Sequence, residues 1–366
     1  MAEDNKSETA AAAADTTGPA APATVAAPVV PAVPDVAALP TASVATPAGK
    51  DSDAAAAEAP SDTGAPAAPT ITTTTNTITA ATTQPTQETE AETEEKSPLA
   101  QLWKAAQNHG HPEIWGVPLG DPETHIPSQV VFQKYLNAND GDLAKAKDQL
   151  IKTLEWRAKT KPTELAFKNF NKVKFEGLGY VTSYTAEEES EPEHKEVFTW
   201  NQYGGVKSID ETFGDLEEFI SWRVALMEIA LQELNIAGAV KPITADYDPY
   251  KIYQVHDYKS ISFLRSPPHV KSASAETIKV FAQNYPELLK EKFFVNVPAI
   301  MGFVYTFMKL FVAAKTIKKF HPMSNGANLA QEFAASGIKG LGERLPSEYG
   351  GKGGDLKVQG KETLLE

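Results

Sequence analysis

The run Tyr-Lys-Ile-Tyr-Gln-Val-His-Asp-Tyr, residues 250–258, decides the fold of this 366-residue chain. It is rich in β-branched and aromatic residues, which predicts a strand. The stretches on its two sides have helical spacing instead, with apolar residues recurring every three or four positions over 216–234 and over 275–285. Short strands that alternate with longer helices are typical of an α/β sheet, so the predicted fold class is α/β.

The same alternation extends outward from this run, beginning at Val181. The predicted strands cover residues 197–203, 250–258, 293–297 and 319–323, and the predicted helices cover residues 216–234, 275–285 and 302–314. The stretch 293–312 is almost entirely apolar, but Pro298 interrupts it, because proline cannot continue a helix. We therefore predict no transmembrane span here, but a buried strand, a turn and an apolar helix that serves as a lid or touches a membrane.

A small helical lobe is predicted before the sheet. Ser97-Pro98 is a typical helix start, with serine as the N-cap and proline at the first helical position. Residues 128–160 have the spacing of two helices interrupted at 137–141. The lobe is expected to cover residues 98–165.

The first 97 residues differ from the rest in composition. They hold 14 acidic and three basic side chains and have no Phe, Tyr or Trp, so they contribute −11 of the formal net charge of −14. A segment without aromatic residues buries too little apolar surface to offset the entropy of ordering, and we predict a long disordered tail. The remaining residues are close to neutral.

Several function classes are excluded by what the sequence lacks. There is no cysteine, which excludes disulfides, thiolate nucleophiles and zinc-thiolate sites. Nucleophile elbows, phosphate-binding P-loops and zinc-protease motifs are also missing, as is a basic, aromatic-rich stripe for nucleic acid. We therefore expect no nucleic-acid partner.

Arg223 is an unusual residue in its predicted helix, because helical spacing puts it on the apolar face with Leu216 and Met227. An inward arginine is unfavourable unless an anion pairs with it. Two partners remain open: an internal carboxylate such as Glu228, or an anionic group on a ligand.

His256 and Tyr258 lie two positions apart in a predicted strand, so both side chains point to the same face. A hydrogen-bonded pair in the core would explain them. In a chain without cysteine, however, imidazole and phenolate are the available iron ligands, and tyrosinate is a known haem ligand type. Tyr203, at the end of the preceding strand, and Lys292, next to the following one, are further candidates, although Lys292 could also be a solvated lysine.

A resemblance to a known family rests on motifs that occur in order over residues 98–352. The motifs are Leu154-Glu155-Trp156-Arg157, Phe198-Thr199-Trp200-Asn201-Gln202-Tyr203-Gly204, Trp222-Arg223, Gln254-Val255-His256-Asp257-Tyr258-Lys259, Asn284-Tyr285-Pro286-Glu287, Phe294-Val295-Asn296-Val297-Pro298 and Leu345-Pro346-Ser347-Glu348-Tyr349-Gly350-Gly351. In these motifs the chain resembles the CRAL-TRIO lipid-binding family, and in detail its fungal non-classical phosphatidylinositol transfer branch, whose members also bind haem b.

The resemblance implies a helical lobe packed on a βαβαβ-type sheet, with one apolar cavity and a mobile gate helix. It also implies two kinds of ligand site. Tyr258 would be the axial ligand of haem iron, with Tyr203, Arg223, His256 and Lys292 as haem contacts. Glu276 and Lys309 would contact the head group of phosphatidylinositol, the carboxylate accepting inositol hydroxyls and the ammonium neutralising the phosphodiester.

The expected organisation is a tail at 1–97, the lobe at 98–165, a lipid- and haem-binding domain at 166–352 and a flexible C-terminal tail at 353–366. The expected function is a non-catalytic carrier that transfers phosphatidylinositol between membranes and binds haem b. Two alternatives stay open: a protein of haem handling or oxidant response, and a lipid-sensing module that does not transfer lipid. The expected location is the cytoplasm, with peripheral contact to endoplasmic reticulum or microsomal membranes.

Overall fold

The computed structural model describes residues 97–186, 195–260, 267–297 and 314–366, all within the unit Gln87–Glu366. The predicted tail, except Ser97, lies outside the described residues, and so does the predicted gate helix, except Ala314. Lys309, the lysine expected at the lipid head group, also falls outside them.

The N-terminal lobe is helical, as predicted. Its helices are α1 (Pro98–His109), α2 (Ile126–Ala138), α3 (Leu143–Thr160), α4 (Pro162–Leu165) and α5 (Lys172–Phe175). The helix start at Ser97 is confirmed, because its hydroxyl accepts a hydrogen bond from the amide of Ala100 at 3.2 Å and Pro98 opens the helix. A short hairpin, β1 (Glu113–Ile114) and β2 (Val117–Pro118), follows α1, and its turn places Trp115 at φ 56° and Gly116 at φ 78°.

The interruption predicted between α2 and α3 is confirmed. α2 ends at Ala138, and Asp142 caps α3 by accepting a hydrogen bond from the amide of Lys145 at 3.1 Å. Gly141, at φ 82°, adopts the left-handed conformation that the turn requires.

A five-stranded sheet forms the centre of the fold. Its strands are β3 (Gly179–Thr185), β4 (Lys195–Gln202), β5 (Ile252–Asp257), β6 (Leu289–Val295) and β7 (Phe320–Pro322). They lie in chain order; β3 and β4 pair antiparallel, and all later pairs are parallel. The predicted α/β class is confirmed, and the carboxyl ends of β4, β5 and β6 meet at one edge of the sheet.

Helices precede and follow β5. They are α6 (Ile209–Phe213), α7 (Leu216–Leu234) and α8 (Pro268–Asn284). The bounds of α7 are those predicted, whereas α8 begins seven residues earlier than expected, because Pro268 stands in its first turn, where proline is favourable. α7 is buried nearly all around, with partners on several faces.

The sheet divides the core in two, because alternate residues of each strand point to opposite faces. Val197 and Ile252 join the core formed with the lobe and α7, whereas Phe198 and Tyr253 join an aromatic core on the other face. All six residues of β5 are buried, as expected for a central strand covered on both faces.

The C-terminal residues differ from the flexible tail expected at 353–366. They form a short helix, α11 (Leu356–Gln359), after α9 (Ala314–Ile317) and α10 (Leu341–Arg344) in the described chain. Leu356 is buried, and Lys361 and Leu365 form backbone bridges with Val181 and Phe170. The sequence prediction failed because glycines dominate residues 350–354, whereas burial of Leu356 and pairing with β3 fix the residues after them.

Within the described ranges, we find no helix that combines the length and apolar character needed to cross a membrane.

Candidate functional site

The candidate site lies where the carboxyl ends of β4 and β5 meet. Tyr203 follows the last residue of β4, and His256 and Tyr258 stand at and just after the end of β5. The ring centroid of Tyr203 lies 5.4 Å from that of His256 and 5.6 Å from that of Tyr258. Tyr203 is therefore in contact range of both other rings that the sequence singled out, in the crevice position where open α/β sheets commonly bind ligands.

Apolar rings from the neighbouring strands complete this edge. Phe294 of β6 stands opposite His256 in the parallel register, with 5.7 Å between their ring centroids, and lies 6.3 Å from the ring of Tyr258. The ammonium of Lys292 is 5.4 Å from the ring centroid of Phe294 and 5.7 Å from that of Phe320. A cation over aromatic faces gains some stabilisation, but far less than it loses on leaving water.

Arg223 enters the same edge from α7, where it is buried. Its Nη1 donates to the amide oxygen of Asn201, and Asn201 in turn donates to the carbonyl of Val255 at 3.1 Å. The guanidinium also lies 5.5 Å from the ring centroid of Phe281. Its partner in the chain is thus a neutral amide.

The alternative in which Glu228 neutralises Arg223 is wrong. Glu228 instead pairs with Arg157 of α3, with 2.9 Å from Nη1 to Oε1, and also accepts a hydrogen bond from the hydroxyl of Tyr285 at 2.7 Å. Residues five apart on a helix point about 140° away from each other, so Arg223 and Glu228 face different neighbours. The second alternative for Arg223, an anionic group on a ligand, remains a prediction.

Arg157 and its carboxylates form a second buried ionic cluster, which sequence reasoning missed. Its Nη2 donates to Glu113 of β1 at 2.6 Å, so one guanidinium joins two carboxylates from different elements. Burial, the largest single cause, lowers the pKa of Arg157, but Glu228, Tyr285 and Glu113 together hold that pKa above its ordinary value. Only the tertiary arrangement brings these groups together, and spacing along the chain carried no signal for it.

The candidate site has the opposite electrostatic character. Among the described residues, neither Arg223 nor Lys292 makes an ion pair with a carboxylate. Burial, and then repulsion from Arg223, lower the pKa of Lys292 to about 7. Burial, then Lys292 and Arg223, lower the pKa of His256 well below its ordinary value, so this imidazole is neutral at pH 7.

Two polar atoms of the site are sealed from water without a hydrogen-bond partner in the part of the chain that the structure describes. They are Nε2 of His256 and Nε of Arg223. Burial raises the pKa of Tyr258, and Tyr203 raises it further, while Arg223 acts in the opposite direction. The alternative of a His256–Tyr258 pair bonded through Nε2 thus finds no support in the geometry. The arrangement suits a flat apolar ligand that carries anionic groups.

Of the two head-group candidates, only Glu276 falls within the described residues. Glu276 lies on α8, where its carboxylate is 3.4 Å from the ammonium of Lys279, one helical turn away. Lys309 lies outside the described residues. Two cavities of about 240 and 560 Å³, bordered by residues of the lobe, contain none of the six candidate residues that the structure describes. Over the described ranges, no group of three or more His, Asp or Glu side chains could hold a metal ion.

Comparison with known families supports the resemblance seen in the sequence. Residues 202–351 match the CRAL/TRIO domain, and residues 87–152 match the CRAL/TRIO N-terminal domain. The matched segments contain Tyr203 and all the other candidate residues, as well as helices of the lobe.

Named relatives come from filamentous fungi. The chain is 75% identical over 270 residues, 74% of its length, to the phosphatidylinositol transfer protein SFH5 of Chaetomium globosum. The match spans 62% of that protein, which is less than two thirds of its length. The protein of the same name from Neurospora crassa is 67% identical over 274 residues, which cover 74% of this chain and 76% of the relative.

A solved structure shows the same fold. The crystal structure of Sfh5 superposes with a TM-score of 0.58 at 26% sequence identity, over 74% of this chain and 93% of that one. Sequence motifs, sheet topology and these comparisons agree, and the chain belongs to the CRAL/TRIO family, in the group of the fungal SFH5 proteins.

Proposed function

We propose that this protein is a non-catalytic carrier that binds phosphatidylinositol and moves it between membranes. The observation that carries the proposal is its 67% identity to a Neurospora crassa protein named as a phosphatidylinositol transfer protein, of which it covers 76%. The apolar end of the parallel sheet suits such a cargo. Burial of acyl chains, at about 0.8 kcal/mol per CH₂, is enough to retain a lipid without any covalent step.

Selection of the head group would fall to Glu276 and Lys309. The carboxylate of Glu276 would accept hydrogen bonds from inositol hydroxyls, and Lys309 would neutralise the phosphodiester. Vesicle-to-vesicle transfer of labelled lipid tests this. We expect faster transfer of phosphatidylinositol than of phosphatidylcholine, and loss of that preference in Lys309→Ala. Equal transfer of both lipids by the wild type would contradict head-group selection.

The same assay addresses the alternative of a lipid-sensing module. Such a module would bind vesicles that contain phosphatidylinositol and leave the labelled lipid where it was. A carrier acts by brief, peripheral membrane contact, and we propose the cytoplasmic face of the endoplasmic reticulum as its place of work. Fractionation of cells into cytosol and microsomes, with and without salt extraction, tests this location.

A second candidate function, binding of haem b, is favoured by the two buried cations that lack a carboxylate. Haem b would supply ferric iron and two propionates. The residues fit it: Arg223 and Lys292 would pair with the propionates, Tyr258 would ligate the iron as a phenolate, and Tyr203 and His256 would line the ring. Ligation requires loss of the phenolic proton, which ferric iron and Arg223 favour and burial opposes.

The absorption spectrum of the purified protein tests this second function. We expect a Soret band that is lost in Tyr258→Phe and retained in Tyr253→Phe, a matched control because Tyr253 lies on the opposite face of the same strand. A colourless protein from cells supplied with haem would refute it. If both ligands occupy the same site, added haem should displace labelled lipid. Displacement would favour the alternative role in haem handling or oxidant response.

A further inference from the structure

Asp257 stands between His256 and Tyr258, and its side chain points to the opposite face of the sheet. Its buried carboxylate accepts three hydrogen bonds: from the amide of Lys259 at 2.8 Å, from Nδ2 of Asn296 at 2.8 Å and from the hydroxyl of Tyr349 at 2.9 Å. Within the described ranges, no lysine, arginine or histidine forms an ion pair with it. Among the described residues, it is therefore hydrogen bonds that hold this side chain in place.

These donors come from separate parts of the fold. Lys259 follows the end of β5, Asn296 follows the end of β6, and Tyr349 belongs to the C-terminal region. Asn296 also accepts a hydrogen bond from the amide of Gly326 at 2.8 Å, and Gln202, at the end of β4, donates to the hydroxyl of Tyr349. The network ties the ends of three neighbouring strands together, behind the face that carries the candidate site.

The backbone around Tyr258 is constrained from its other sides as well. The amide of Tyr258 donates to the carbonyl of Val295 at 3.1 Å, which continues the pairing of β5 with β6. Gly204 packs so closely that a Cβ atom there would lie 1.9 Å from the carbonyl oxygen of Lys259. The turn formed by Asp257 and Lys259 is thus held between β6 and the chain after β4, and the Cα position of Tyr258 follows from it.

We propose that Asp257 is a positioning residue. From the face of the sheet opposite the candidate site, it fixes the end of β5 and thereby the orientation of the Tyr258 phenol, and so sets the rate at which haem is released. This inference rests on the proposed haem function. A phenolate ligand loses bond strength when its oxygen can drift from the iron, so a loosened strand end shortens the lifetime of the complex. Asp257 itself touches neither iron nor porphyrin.

The variant Asp257→Asn tests the proposal with almost no change in shape. Two of the three partners, the amide of Lys259 and Nδ2 of Asn296, can only donate, and the third, the hydroxyl of Tyr349, already accepts a hydrogen bond from Gln202. An NH2 group in place of one carboxylate oxygen therefore weakens at least one of the three hydrogen bonds. Haem is loaded onto wild type and variant, and its release is timed by transfer to apomyoglobin. The phenolate vibration of the iron complex is recorded by resonance Raman spectroscopy.

We expect release about tenfold faster or more in Asp257→Asn, with a weakened or broadened phenolate band. Tyr349→Phe, which removes one of the three donors, should accelerate release less, by about threefold, and it serves as the second variant if Asp257→Asn folds poorly. Asp215→Ala is the matched control. Asp215 is the N-cap of α7, and its carboxylate accepts a hydrogen bond from the backbone amide of Glu218 at 3.0 Å. Its loss should leave the rate of haem release and the phenolate band unchanged.

Release within twofold of wild type and an unchanged band in both Asp257→Asn and Tyr349→Phe would overturn the inference. Equal acceleration in Asp215→Ala would also overturn it, because general destabilisation would then explain the effect. A wild type that takes up no haem through Tyr258 would refute the haem function and this inference together. If the wild type binds haem through Tyr258 but the Asp257 and Tyr349 variants release haem at the wild-type rate, only the inference about Asp257 is refuted.

Discussion

Two buried arginines in this protein have opposite surroundings. Arg157, between the lobe and α7, contacts the carboxylates of Glu113 and Glu228. Arg223, on the same helix as Glu228, contacts a neutral amide and lies near a second buried cation, Lys292. In the Arg157 cluster the chain supplies the counter-charges, whereas over the described residues Arg223 and Lys292 have no carboxylate partner. The difference teaches that burial of a charge does not by itself indicate a ligand site, and that the lack of a carboxylate partner among the described residues is the feature on which the haem proposal rests.

The largest expected effect comes from breaking the Arg157 cluster, which consists of Arg157, Glu113 and Glu228. Arg157→Met leaves two carboxylates without their cation, and removal of one partner from a buried ion pair typically lowers the free energy of unfolding by about 3–5 kcal/mol. Urea denaturation of the ligand-free protein measures it. Lys152→Met is the control, since its pair with Asp148 is exposed and should matter by less than about 0.5 kcal/mol. Equal losses of unfolding free energy in the two variants would show that the Arg157 cluster stabilises the protein no more than an exposed ion pair does.

A smaller loss is expected when the cluster keeps its charges and loses one hydrogen bond. Tyr285→Phe removes the hydroxyl that donates to Glu228 at 2.7 Å, and hydrogen bonds to charged groups contribute about 1.5–3 kcal/mol. Tyr184→Phe, which removes a bond of 2.9 Å to the neutral side chain of Gln359, should lose about 1 kcal/mol. The same denaturation measurement ranks them, and the reverse order would contradict the role assigned to charge.

The candidate site should respond in the opposite way. Arg223→Met should change the unfolding free energy of the ligand-free protein by only about 1 kcal/mol, because loss of one hydrogen bond is offset by relief of an unpaired buried charge. Haem affinity, measured by spectroscopic titration, should fall by about tenfold, or 1.4 kcal/mol, as the charge-assisted bond is lost. A large loss of stability with unchanged haem affinity would place Arg223 beside Arg157 as a structural residue.

The last expected effect is a slope of stability against pH and not a loss at one pH. Lysine has an ordinary pKa near 10.4, and the pKa of Lys292 is lowered to about 7 by burial and Arg223, so the unfolded chain binds more protons between these values. The free energy of unfolding therefore rises with pH between about 7 and 10, because the unfolded chain loses the proton of Lys292 over this range. Below pH 7 the buried ammonium destabilises the folded protein to its full extent. The difference in unfolding free energy between wild type and Lys292→Met should follow this rise. Parallel curves would contradict it.

The sequence predicted those parts of the molecule that depend on local pattern. Helix α7 was predicted with its observed bounds, because apolar spacing fixes a helix over many turns. Strand alternation correctly placed His256 and Tyr258 together, and their contacts with Tyr203 followed from the meeting of strand ends. The α/β class and the helix start at Ser97 also rest on residues close in the chain.

Features that depend on distant residues were not predictable in the same way. Glu228 was one of two partners considered for the arginine five positions away, but it pairs with an arginine 71 residues away on another element. The hydrogen bonds around Asp257 join residues up to 92 positions apart. No periodicity reports such contacts, since they arise only when packing brings separate elements together.

The backbone bridge between Phe170 and Leu365 has a consequence for the order of folding during synthesis. Its two ends are about 195 residues apart, and a ribosome that adds about 5–20 residues per second needs about 10–40 s between them. Throughout this time β3 is present without the C-terminal segment that covers part of its edge. An uncovered strand edge is a template for pairing with other chains. The nascent chain therefore carries an uncovered strand edge from the synthesis of β3 until residues 361–365 have been made and have paired with it.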